Sequence, residues 1–166
     1  MKNFFIVILL SILSIGCLAQ EKMDQSYKAD QPYTFAIGVH LTNGLGLSTK
    51  FPVAPAQFIE VAGTFYSYLL DSLVSGTVFY QYHQPLLKHS LSIYGGGGLS
   101  VNYPVVKGVF LSPEMGFNPI VGIEYDFQKL PLNLAFDYRP VLILVKTPAV
   151  RRYYDKAVGL SLRFTF

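Results

Sequence analysis

The chain has 166 residues, of which 51% are hydrophobic and only 14% are charged, and its formal net charge is +3. This length suits one domain, and the apolar share excludes a disordered chain. Soluble domains carry about 25% charged residues, so this chain lacks groups that normally coat a water-facing surface, and its single basic cluster, Arg151-Arg152, does not suggest nucleic-acid binding.

The N-terminus has the pattern of a secretory signal peptide. Met1-Lys2-Asn3 is a short basic start, and the apolar run 4–15 leads into small residues. A run of this length is too short to cross a bilayer as a stable helix. We therefore predict a signal peptide over residues 1–19, whose cleavage after Ala19 removes the only cysteine, Cys17. The residues before Cys17 loosely resemble a bacterial lipoprotein cleavage box, so lipidation of Cys17 is the alternative.

The rest of the chain predicts a short lead followed by β-strands. Residues 20–32 are polar and lack periodicity, which indicates a flexible periplasmic lead. From residue 33 onward, apolar residues alternate with small or polar ones, which is the period of a strand. The eight alternating segments are 33–42, 45–53, 58–68, 74–83, 90–102, 121–127, 131–142 and 156–166. In the first of them, Tyr33 is grouped with the apolar face.

The connections between these segments have two lengths. Asn43-Gly44 is a strong hairpin signal because both residues tolerate positive φ, and residues 128–130 also have hairpin length. With both chain ends on the periplasmic side, the predicted external connections 69–73, 103–114 and 145–154 are on average longer than the predicted periplasmic turns 54–57, 84–89 and 128–130. An even number of strands with short periplasmic turns and longer external loops is typical of outer-membrane barrels.

The composition of the polar face indicates whether that face points into the barrel or out to solvent. It consists mostly of Gly, Ala, Ser and Thr, which suit a crowded lumen better than a wetted surface. We therefore predict that the apolar face points outward to lipid. The few charges on the inner face, three cations and four anions, are predicted to form a lumen ion-pair network: Lys50, Glu60, Glu124, Asp126, Asp137, Arg139 and Arg163. A balance of sign is what a narrow interior requires.

Arg163 is predicted to be the central cation of this network. A hairpin that closes at 128–130 sets Glu124 opposite Ala135 and Asp126 opposite Asn133, and a plausible register of the last segment brings Arg163 level with them. Metal binding by the carboxylates is the alternative, but the arginines on the same face favour ion pairing, so no metal site is predicted.

No catalytic or cofactor-binding residues are predicted. His40, His83 and His89 are not accompanied by a serine and an acid at strand spacing, and His89 and Ser90 would point to opposite faces. The run 95–98 consists of four glycines, but a phosphate-binding loop needs a helix after it, whereas here a strand pattern continues. We interpret this run as a bend or close approach in the barrel wall.

The chain resembles a known family type. The signal peptide, the eight segments and the aromatic C-terminal run 160–166 resemble small bacterial outer-membrane barrels such as outer-membrane protein X, the opacity proteins and the membrane domain of outer-membrane protein A. The segments 119–127 and 131–140 look like the penultimate hairpin of such porin-like proteins. The resemblance implies an all-β, eight-stranded antiparallel up-and-down transmembrane β-barrel over residues 33–166. It also implies that the barrel-assembly machinery reads Phe164 and Phe166 as a C-terminal assembly signal.

These observations predict a non-enzymatic, monomeric, integral protein of the cell outer membrane in a Gram-negative-type envelope. Its lumen would be filled by side chains, its outer wall would contact lipid and lipopolysaccharide, and its external loops would act in surface interaction, adhesion or envelope integrity. Segments 104–111 and 149–154 carry apolar, aromatic and basic groups for such contacts, or are simply solvated loops. A soluble barrel for an apolar ligand, a small channel and a lipid-modifying outer-membrane enzyme are the alternatives.

Overall fold

The computed structural model describes residues 33–68, 71–87, 90–106, 109–145 and 158–166. In chain order the strands are β1 (Ala36–Leu41), β2 (Leu45–Ala54), β3 (Gln57–Tyr68), β4 (Asp71–Leu87), β5 (Leu91–Val106), β6 (Val109–Phe110), β7 (Glu114–Asp126), β8 (Leu132–Tyr138), β9 (Leu142–Val145) and β10 (Val158–Thr165). No helix that could span a membrane occurs in these ranges. The predicted signal peptide and lead, Cys17 and His89 lie outside them.

Eight of these strands form a closed antiparallel barrel. Each strand of the series β1, β2, β3, β4, β5, β7, β8, β10 pairs with the next, and β10 pairs with β1, where Ile37 lies opposite Phe164. The two-residue β6 pairs antiparallel with the end of β5, and β9 pairs with the first residues of β7. This topology confirms the predicted eight-stranded up-and-down barrel. Closure leaves no free edge in the wall, so its backbone groups can be paired without water.

The two faces of the wall have opposite polarity. Along β10, Gly159, Ser161 and Arg163 are buried, and the apolar residues between them are exposed. The same alternation holds along β8, where Asn133 and Asp137 are buried. Soluble proteins bury apolar residues and expose charged ones, so this wall has the inverse arrangement, which suits a lipid exterior.

Several strands are longer than the sequence pattern predicts. The predicted loop 69–73 is mostly strand, because β3 and β4 stay paired up to Tyr68 and Asp71. The predicted loop 103–114 is also partly strand, since β5 continues to Val106 and β7 begins at Glu114. The predicted turn 84–89 is shortened because β4 continues to Leu87. The alternation is not regular in these segments, so the pattern predicts loops, but pairing with a neighbouring strand keeps part of each segment extended.

The first hairpin is present, but its glycine is needed for a reason other than the predicted one. Residues 42–44 join β1 to β2, and neither Asn43 nor Gly44 has a positive φ. A side chain at Gly44 would instead overlap the carbonyl oxygen of Phe65 on β3. Among non-glycine residues of the described ranges, positive φ occurs at Ala56, in the turn between β2 and β3, where φ is 58°.

The seam between β1 and β10, where the barrel closes, is a close approach of two backbones. The amide of Phe166 donates to the carbonyl of Phe35 at 2.8 Å, and Thr34 donates back to Phe166. A methyl group at Gly38 would overlap the Leu162 carbonyl oxygen and the Arg163 Cα. Glycine at this position therefore lets the first and last strands meet.

We expect Gly38→Ala to destabilise the barrel by about 1–3 kcal/mol, the usual cost of overpacking. The added methyl group has only backbone atoms to displace. The midpoint of urea unfolding in detergent micelles, followed by circular dichroism, measures the change. Gly76→Ala is the matched control, because no atom lies within 4 Å of a methyl group there. Equal midpoints for the two variants would contradict the seam argument.

Candidate functional site

Five strands of the wall bring the predicted lumen charges to the inner face. Lys50, Glu60, Glu124, Asp137 and Arg163 are at most 1% exposed. Each lies on the inward phase of its strand, because successive side chains of a strand point to opposite faces. Lys50 and Glu60 are direct cross-strand neighbours on β2 and β3.

Arg163 on β10 contacts side chains of four other strands. Its Nη2 lies 2.8 Å from Oε1 of Glu60 on β3, and its Nη1 lies 3.7 Å from Oε2 of Glu124 on β7. Nε donates to Oγ of Ser48 on β2 at 2.8 Å, and Nη1 donates to Oδ1 of Asn133 on β8 at 3.1 Å. A planar guanidinium with five donors suits such a central position. One buried cation therefore connects opposite sides of the lumen.

Lys50 and Glu124 form one part of the network, next to Tyr33, which precedes β1. The ammonium group of Lys50 pairs with Oε2 of Glu124. Its Nζ lies 5.2 Å from the ring centroid of Phe58 and 4.7 Å from that of Tyr94, which are cation–π distances. Oε1 of Glu124 accepts a hydrogen bond of 3.2 Å from the Tyr33 hydroxyl. The buried charge of Glu124 is thus satisfied from several directions.

The placement of Tyr33 corrects the sequence prediction. It precedes β1, so the strand alternation does not apply to it, and its side chain is buried rather than directed outward. Its ring centroid lies 5.7 Å from that of Phe58. The residue therefore covers Glu124 instead of contributing to the lipid face.

Arg139, Asp137 and Glu60 form the other part of the network. Nε and Nη2 of Arg139 donate to the two carboxylate oxygens of Asp137, and its Nη1 lies 3.4 Å from Glu60 Oε1. The hydroxyl of Tyr94 donates to Asp137 Oδ2 at 2.9 Å, and Gln81 Nε2 donates to Glu60 Oε2 at 2.7 Å. Because Glu60 contacts both arginines, the two parts form one network.

Asp126 differs from the other six predicted residues. It accepts a hydrogen bond of 2.7 Å from Asn133 Nδ2, and no cation of the described residues lies within 4 Å of it. Asn133 also accepts from Arg163, so Asp126 joins the network through a neutral amide. The sequence does not reveal Glu114 as a further buried carboxylate, because the pattern predicts a loop over 103–114.

His40 and His83, the two histidines of the described ranges, make separate contacts. Nε2 of His40 lies 3.1 Å from the Thr64 hydroxyl, and His83 stacks on Tyr94 with centroids 4.8 Å apart. No group of three potential metal ligands occurs among the described residues. Ser161 lies opposite His40 in the register, but neither His40 Nδ1 nor Ser161 Oγ has a hydrogen-bond partner there. The pair therefore lacks the hydrogen bond of an activated nucleophile.

Phe164 and Phe166 lie on the outer surface at the seam. Their ring centroids are 5.0 Å apart, and the ring of Phe166 lies 6.1 Å from that of Phe35. Both side chains are substantially exposed, so they are accessible from outside the barrel.

Comparison with known proteins finds similarity in structure. No protein-family model and no curated protein sequence matches the chain. The N-terminal β-barrel domain of OprF from Pseudomonas aeruginosa aligns with a TM-score of 0.61 at 13% identity, over 80% of this chain and 95% of that one. Neisserial surface protein A (NspA) aligns with a TM-score of 0.57 at 19% identity, over 80% of this chain and 93% of that one. At these identities the similarity shows the fold.

The barrel fold and the polarity of its two faces define a small transmembrane β-barrel of the outer-membrane type. The exterior is apolar on all sides, the interior is polar and charged, and the wall closes after eight strands. The predicted resemblance to small outer-membrane barrels is thereby confirmed.

We expect Arg163→Met to destabilise the barrel by about 3–5 kcal/mol, the usual cost of breaking a buried ion pair. The substitution leaves the buried carboxylates of Glu60 and Glu124 with fewer cationic contacts. Urea unfolding in micelles and the shift of gel mobility on heating are the measurements. Adding Glu60→Gln should recover part of the loss, because it removes one uncompensated charge. An unchanged midpoint for Arg163→Met would contradict the central role of this residue.

Proposed function

We propose that the protein is a non-enzymatic integral barrel of the outer membrane that acts through its external surface. The observation that carries this proposal is the unbroken apolar exterior. Each of the eight wall strands exposes large apolar side chains, from Val39 on β1 to Leu162 on β10. Soluble monomers rarely expose apolar patches larger than a few hundred Å², whereas this surface encircles the barrel. Lipid and lipopolysaccharide are its natural surroundings.

The filled lumen supports a structural role rather than transport. The network around Arg163 and Glu60 occupies the interior together with the rings of Phe58, Phe79 and Tyr94. An eight-stranded barrel has an interior just wide enough for side chains. Interaction with other molecules then falls to the ends of the strands and the loops, which is why we favour adhesion or envelope integrity.

β4 and β5 are the longest strands of the described ranges and extend beyond the membrane. These strands have 17 and 16 residues, whereas about 9–11 residues cross a bilayer. At their external end Ser72 remains paired with Val105, and β6 adds the exposed residues Val109 and Phe110. The segment 104–111 predicted as a contact loop is therefore partly an extended sheet, while segment 149–154 lies outside the described residues.

We expect the full chain, produced in a Gram-negative host, to sediment with the outer membrane. It should resist alkaline carbonate extraction and migrate faster on a gel before boiling than after it, because the closed barrel remains folded in detergent. A protein that stays in the aqueous fraction without detergent would contradict membrane integration and favour the soluble-barrel alternative. Ion currents in planar bilayers would contradict the filled lumen.

The C-terminal residue provides a separate test of assembly. We propose that the barrel-assembly machinery binds the strand that ends in Phe164 and Phe166, so Phe166→Ala should lower the amount of barrel assembled in cells severalfold. The purified variant should still refold in micelles, because its backbone pairing with Phe35 does not need the ring. Phe127→Ala is the control, since it also removes an exposed aromatic ring, one that contacts Tyr125. Equal losses for both variants would contradict a specific signal.

A further inference from the structure

A cavity lies in the lumen on the external side of the ion-pair network. Its volume is about 80 Å³, and it is bordered by the turn between β1 and β2 and by inward residues of β3, β4, β5 and β7. Asn43 of that turn is exposed, so the cavity lies close to the external rim. The polar side chains that matter for binding are His40, Thr64, Ser75, Thr77, Asn102 and Asn118.

The cavity offers no unpaired charge. Arg139 is the one permanently charged residue among those that line it, and its guanidinium is held by the Asp137 carboxylate and by Glu60. No carboxylate is part of the lining. A phosphate or carboxylate would therefore have to compete with Asp137, and an ammonium group would find no anion. The electrostatics favour a neutral ligand.

The lining combines hydrogen-bonding groups with apolar surface. His40 Nδ1 is buried and has no partner among the described residues, and a buried polar group of this kind costs free energy unless it is satisfied. Ser100 donates to Asn118 Oδ1 at 2.8 Å, which orients the amide and does not use its nitrogen. Phe79 and Leu73 supply apolar walls between these groups. Hydroxyl-bearing carbon chains present the same mixture of O–H and C–H surface.

We propose that this cavity binds the hydroxyl-bearing end of a polyol or sugar. An engineered cavity of about 150 Å³ holds benzene, so a cavity of about 80 Å³ encloses only the last few atoms of such a molecule. A hydroxymethyl or vicinal diol end enters the cavity, and the remainder projects from the external rim. Thr77 and Asn118 contact the hydroxyl groups, and Phe79 contacts the carbon atoms.

Amide chemical shifts of the purified barrel test the proposal directly. The full chain is refolded in micelles of a zwitterionic detergent without a sugar headgroup, and glycerol or methyl α-glucopyranoside is titrated. Saturable shifts at His40, Thr77, Asn102 and Asn118 are expected. Linear shifts spread over the surface would overturn the proposal. So would saturation of the same amides by inorganic phosphate, because that outcome assigns the cavity to anions.

Matched variants separate binding from folding. Thr77→Val keeps the side-chain shape but removes the hydroxyl. It should raise the dissociation constant for either probe about fivefold, the usual effect of losing one hydrogen bond. Thr165→Val makes the same change near the C-terminal end of β10, outside the cavity lining, and should leave binding unchanged. Ser75→Ala replaces Thr77→Val as the test if heat-dependent gel mobility shows that the valine variant does not fold. Equal affinity for the cavity variant and the control variant would overturn the proposal.

The sugar could belong to a free solute or to lipopolysaccharide in the surrounding leaflet, and both share the same chemistry. In phospholipid nanodiscs the free probes should bind as they do in micelles. When lipopolysaccharide is included, shifts of the same amides without added probe, together with weaker glycerol binding, would assign the site to the membrane-bound sugar. Unchanged glycerol binding would assign it to free solutes.

Discussion

The structure depends on the need to pair every charge that a narrow barrel encloses. Eight strands leave an interior only as wide as side chains, so a cation such as Arg163 has no bulk water within reach. It is stabilised only because Glu60, Glu124 and neutral acceptors surround it. Those acceptors come from four strands that are distant in sequence. The charge network can therefore form only when the barrel is closed, and its ion pairs in turn stabilise the closed barrel.

The distribution of glycine on the inner face follows from the same constraint. A methyl group at Gly159 would meet Oδ1 of Asp137 and would lie 3.2 Å from Nε of Arg139. One at Gly122 would lie 2.7 Å from the ring of Tyr94. Large charged and aromatic groups fill the lumen because glycine on neighbouring strands leaves them room. The small residues of the inner face therefore provide the space that the side chains of the ion-pair network occupy.

Local patterns in the sequence predict the faces of the strands, but not the contacts across the lumen. Period-two alternation suffices to place Lys50 and Arg163 on the inner face. The hairpin at 128–130 sets Glu124 opposite Ala135, as the register shows. The contact between Arg163 and Glu60 depends on the stagger of all eight strands, which no single hairpin determines. Tyr33 could not be placed because it lies before the first strand, where alternation carries no information.

Strand ends were the least predictable feature, and the reason bears on function. Asp71 has low strand propensity, yet pairing with β3 and β5 keeps Asp71 and Ser72 extended. Further along the inner face of β4, small polar residues leave space in the external half of the lumen, where Ser75 and Thr77 line a cavity. Lys50, Glu60 and Arg163 stabilise the barrel from outside this cavity. Substitutions in its lining, other than at Arg139, can therefore change binding while the network that closes the barrel remains intact.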